Sequence, residues 1–110
     1  MIKIAMSRAG SALLRALLER ADAEDDRILL SEFRSTDWQS LTFTGERHVI
    51  SLRIPGPGAD PLFRALTAGL EDAEFSIPGQ IVADIAVGRG PEREADGSIA
   101  VTIEALTITE

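Results

Sequence analysis

The chain has 110 residues, of which 45% are hydrophobic and 26% charged, with a formal net charge of −7. That length sets a single domain, and the composition is that of a chain able to bury a core. The acidic excess repels nucleic acid phosphates and anionic head groups, and cysteine is absent, so nucleic acid and membrane-surface partners, disulfides, thiolate metal sites and cysteine nucleophiles are all disfavoured.

The opening residues MIKIAM are too short for a signal-peptide core, and no apolar run approaches the ~20 residues of a membrane span. A soluble, cytoplasmic protein is the expectation. Ile2, Ile4 and Met6 alternate with Lys3 and Ala5, the period of a short first strand. Ser7 or Ser11 can cap the helix that follows. Leu13, Leu14, Leu17, Leu18 and Ala21 form one apolar stripe at helical spacing, and the carboxylates from Asp22 to Asp26 oppose the helix dipole and end it near Ala21–Ala23.

Arg27–Phe33 reads as a strand by its β-branched and aromatic content, with either Leu29/Phe33 or Ile28/Leu30 facing inward. Arg34–Trp38 has turn composition. Leu41–Ile54 reads as a hairpin: Leu41 and Phe43 alternate with threonines, Ile50, Leu52 and Ile54 with Ser51 and Arg53, and Gly45–His48 supplies the reversal. Pro55-Gly-Pro-Gly58 then stops the ladder. Asp60 and Pro61 suit the N-cap and first position of a second helix with Leu62, Phe63, Leu66, Leu70 and Ala73 on its buried stripe.

Ile81–Val87 reads as a strand with Ile81, Ala83, Ile85 and Val87 inward, and Gly88–Gly97 as a long, mobile loop. In the last strand Ile99, Val101 and Ile103 alternate, but Leu106 and Ile108 lie on the other phase. That reversal at Ala105 calls for a bulge or a bend, or equally for a strand that changes partners there. The order is β-α-β-β twice, and Leu13-Leu-Arg-Ala-Leu17 echoes Leu62-Phe-Arg-Ala-Leu66, so a duplication is one reading and chance in an Ala/Leu/Arg-rich chain the other.

The fold class implied is α+β: a two-layer sandwich of a mostly antiparallel sheet, five or six strands wide, with two helices on one face. Its layout is close to that of ferredoxin-like domains, a likeness of architecture that carries no function.

No catalytic signature is present: there is no G-x-S-x-G, P-loop, G-x-G-x-x-G, H-E-x-x-H or EF-hand loop. Pro55–Gly58 resembles a phosphate-cradling loop only superficially, because its prolines lack amide donors and Asp60 sets a negative charge at the helix start. Glu24-Asp25-Asp26 has no alternating oxygen ligands around it and reads as a solvated helix end. No metal or cofactor is expected.

Four residues remain as ligand- or partner-contact candidates. Trp38 is the lone tryptophan, placed between turn and hairpin, and tryptophan is enriched at binding hot spots. His48 is the lone histidine, expected at the hairpin tip beside Arg47, where Asp37 or Glu46 can pair with it as acid and base. Arg53, with Arg34 and Asp37, can line the surface around Trp38. Asp84 interrupts the apolar run IVADIAV and belongs on the sheet face away from the helices.

Two functional readings follow. One is a non-enzymatic binding or assembly domain, homodimeric through its sheet or built into a larger protein complex, because a long β-branched last strand at an edge invites pairing. The alternative is a small metabolite-binding protein or small enzyme using the helix-free face or the hairpin tip around His48.

Overall fold

The computed structural model describes residues 6–22 and 27–110. The expected strand at Ile2–Ile4 and the carboxylates Glu24–Asp26 lie outside those residues, whereas Met6 precedes the first helix as irregular chain. The elements are α1 (Arg8–Ala21), β1 (Leu29–Gln39), β2 (Thr44–Ile54), α2 (Ala59–Thr67), a 3-10 turn (Leu70–Asp72), β3 (Gln80–Arg93) and β4 (Ile99–Thr109). The class is α+β. The sheet has four antiparallel strands in the order β1-β2-β4-β3, not five or six.

Ser7 caps α1, its hydroxyl accepting from the Gly10 amide at 3.0 Å. The stripe is as the spacing requires: Ala9, Leu13, Leu17 and Ala21 are buried, and Asp22 ends the helix in the left-handed region with φ 51°. Gly10 lies against β1 so closely that a Cβ there would meet the Phe33 ring at 2.3 Å. α2 starts two residues earlier than expected, with Gly58 at the cap and Asp60 within the first turn. It also stops sooner. Gly69 adopts φ 64° and turns the chain out of the helix, and Leu70 is buried from the 3-10 turn that follows.

The two expected strands 27–33 and 41–44 and the turn between them are one continuous strand and a different reversal. Arg34–Trp38 belongs to β1, and the hairpin turns at Ser40–Phe43, where Ser40 accepts the Phe43 amide. Gly45–His48 is strand. Extended backbone joined the segments because the register that buries Phe33 opposite Ile50 continues through Ser35 opposite His48.

Bulges explain the ambiguous phases. β1 slips register between Leu30 and Glu32, so Ile28 and Leu30 face inward before the slip and Phe33 after it. β4 runs without interruption against β2, so the reversal expected at Ala105 does not occur: Ala105 and Thr107 keep facing the core, and Leu106 and Ile108 stay in phase with Glu104 on the helix-free face, while β3 is the strand that slips, between Val82 and Asp84. Val82, Ile85 and Val87 pack against the core, whereas Ile81 is 51% exposed. Gly88–Arg93 continues β3 through two more slips, so the reversal shrinks to the residues between Arg93 and Ile99.

The core lies between the sheet and both helices. Leu13 and Leu17 of α1 and Leu66 of α2 meet Ile50, Leu52, Ile54 and Ile103, each 0–1% exposed. The opposite sheet face carries no helix among the described residues.

Candidate functional site

The four candidate residues do not form one site. β2 alternates inward at His48, Ile50, Leu52 and Ile54, which puts His48 in the core, 1% exposed, and not at a hairpin tip. Burying an imidazole requires partners for both nitrogens. The Ser35 hydroxyl lies 2.7 Å from Nδ1 and the Thr107 hydroxyl 2.8 Å from Nε2. The α1 cap extends the chain, since the Ser7 hydroxyl donates to Ser35 Oγ at 3.5 Å. Phe33 tilts against the ring at 6.2 Å between centroids. Burial pushes the His48 pKa below the ordinary histidine value, against a smaller upward pull from Glu46.

A serine hydrogen-bonded to a histidine resembles a nucleophile and its base. Here Ser35 lies between the α1 cap and the ring, facing the core, and His48 has no nitrogen free to take a substrate proton. Neither Asp37 nor Glu46 is bonded to the ring, whose two nitrogens go to hydroxyls, and Asp84 stands on β3 opposite Leu106, on the other face of the sheet from His48.

Arg53 is committed to the turn between β3 and β4. Its guanidinium donates to Asp96 at 2.8 Å and to Ser98 Oγ at 3.2 Å, and Glu94 lies 3.5 Å from Nε. Asp96 in turn accepts from the Ser98 hydroxyl and amide. Those bonds, the hydroxyl first, and then Arg53 hold its carboxyl below the usual carboxylate range.

Trp38 and Asp84 share the helix-free face with Arg53. The register arranges that face in rows. Trp38, Gly45, Ile108 and Ile81 form the row nearest the β1–β2 turn; Thr36, Arg47, Leu106 and Asp84 form the next. Arg34, Val49, Glu104 and Ala86 follow, then Glu32, Ser51, Thr102 and Arg89. Trp38 and Asp84 are therefore three strand spacings apart, about 14 Å, too far to hold one small ligand between them. Ser51 and Thr102 join hydroxyls at 3.0 Å in the middle of the face. Beside them a shallow hollow of about 330 Å³ is bordered by Glu32, Arg34, Arg89 and Glu104. The Glu104 carboxylate lies over Gly88, where a Cβ would come within 1.7 Å of it.

Arg89 and Glu104 were not among the residues expected from the sequence. Arg89 was assigned to a loop, and Glu104 gains meaning only once β4 is known to be central. Among the described residues no group of three His, Asp or Glu side chains converges as a metal site, and no helix is long and apolar enough to cross a membrane. No family model matches the chain, and neither curated proteins nor solved structures give a match to it.

Proposed function

We propose that this chain is a non-enzymatic binding and assembly domain that works as a homodimer through the helix-free face of its sheet. The observation that carries the reading is the division of labour between the two faces. The only imidazole is consumed in the core by two hydroxyls, while the other face presents Trp38, Ile81 and Ile108 beside charged side chains. Tryptophan and arginine on one sheet face are residue types enriched at interfaces.

The edge argument for dimerisation does not hold, because β4 lies inside the sheet between β2 and β3. The face replaces it. Light scattering on the purified chain tests the reading: a dimer mass at micromolar concentration is expected, and a monomer at every concentration up to the high micromolar range overturns it.

The metabolite-binding alternative rests on the hollow beside Ser51 and Thr102, whose two arginines and two glutamates suit a small zwitterion. Calorimetry with a panel of free amino acids distinguishes it, since saturable binding by a monomer favours this alternative. The layout also bears on kinship of form. The described order α-β-β-α-β-β is a cyclic shift of the β-α-β-β-α-β ferredoxin-like arrangement, and we read the domain as a shifted member of that architecture.

A further inference from the structure

The charges on the open face are divided between its halves. The β1–β2 half carries Arg34 and Arg47 with Glu32; the β4–β3 half carries Glu104 and Asp84 with Arg89. One half is a net cation and the other a net anion. Among the described residues Arg47, Arg89, Asp84 and Glu104 have no ion-pair partner, and the Arg34–Glu32 contact is a loose 3.7 Å between side chains more than half exposed.

Resting on the homodimer reading, we propose the geometry of the pair: two sheets face to face about a two-fold axis parallel to the strands. That axis lays β1 over β3 of the other copy and β2 over its β4, and it keeps the rows level. Trp38 then covers Ile81 of the partner subunit. Glu32 faces Arg89 of the partner subunit, Arg34 comes beside the partner's Glu104, and Arg47 comes beside the partner's Asp84. Every pair occurs twice by symmetry.

The other two-fold, running across the strands, lays each strand on itself. It sets Arg34 on the partner's Arg34 and Glu104 on the partner's Glu104, like charge on like. Charge therefore selects the first axis. The footprint suffices: four strands ~4.8 Å apart and ~11 residues long at ~3.3 Å each give ~700 Å² per copy, against ~800 Å² in a standard interface. Aligned sheets of this kind pack ~10 Å apart, within reach of interdigitating arginine and glutamate side chains.

Cysteine pairs test the orientation, and the chain has no cysteine of its own to interfere. Thr36→Cys with Asp84→Cys places thiols on β1 and β3, which are three strands apart within one copy but opposed across the proposed axis. Arg34→Cys alone opposes itself only across the other axis. A short thiol-to-thiol bismaleimide, which can bridge the ~10 Å between packed sheets that a disulfide cannot, is expected to give a covalent dimer on denaturing electrophoresis for the pair and none for Arg34→Cys.

A dimer by light scattering that cross-links through Arg34→Cys, or not through the 36/84 pair, overturns the orientation and leaves the homodimer standing. A monomer by light scattering overturns both. As an independent readout, Glu32→Arg and Arg89→Glu should each weaken the dimer about tenfold, and the double reversal should restore it to within about threefold. Failure of the double reversal to restore affinity counts against the same pairing.

Discussion

A single imidazole placed between two hydroxyls has a definite sign in its effect on stability. Burial lowers the His48 pKa, so the unfolded chain takes up the proton first as pH falls. The stabilisation is complete above the unfolded value of about 6.5 and is lost as pH drops from there toward the folded pKa, at no more than about 1.4 kcal/mol per pH unit. Urea midpoints measured from pH 7.5 to 5.5 should fall, and His48→Leu should flatten that slope. The same substitution leaves the Ser35 and Thr107 hydroxyls without the ring, so a loss of about 1–3 kcal/mol at pH 7.5 is expected. The position of His48 was legible in the sequence only in part. Its even phase matches Ile50, Leu52 and Ile54, but Gly45 beside it looked like a reversal. In the fold Gly45 serves contact: a Cβ there would lie 2.0 Å from the Thr107 carbonyl oxygen. Gly45→Ala should therefore cost roughly 1–3 kcal/mol by overpacking, seen as a lower thermal midpoint.

Helices were the most readable elements because α1 and α2 each bury one stripe, and a stripe survives in a linear sequence. Leu13 and Leu66 are fully buried in the positions their spacing assigns. Strand phases were less readable, because each of the slips in β1 and β3 reverses which residues face inward. Leu106 and Ile108 suggest a reversal that β4 does not make, because both are apolar residues on the helix-free face. Strand order was not legible at all; nothing local distinguishes β4 at an edge from β4 at the centre. Gly10 shows how tightly one element specifies another. Ala at position 10 would improve helix propensity yet drive a methyl into Phe33, so Gly10→Ala is expected to lower the thermal midpoint. At the hairpin turn the opposite holds. Leu41 is fully exposed, and Leu41→Ser should change stability by less than about 0.5 kcal/mol.

The molecule as a whole is strongly anionic, yet its open face is close to electrically balanced, and the balance is divided across the sheet. Trp38, the only tryptophan, reports on that face. If the dimer forms as proposed, its emission should shift to the blue as concentration rises through the dissociation constant, and Trp38→Ala should weaken association by about tenfold or more. The irregular β3 edge bears on how far such assembly can go. Sheets that grow edge to edge must use both borders of every copy, either β1 against β3 or like against like in alternation. Three register slips along β3 break the even row of donors and acceptors that a new strand would read. A stack built on the faces closes at two, whereas a ribbon built on the edges would have no end. With one border spoiled, the ribbon is denied its second attachment.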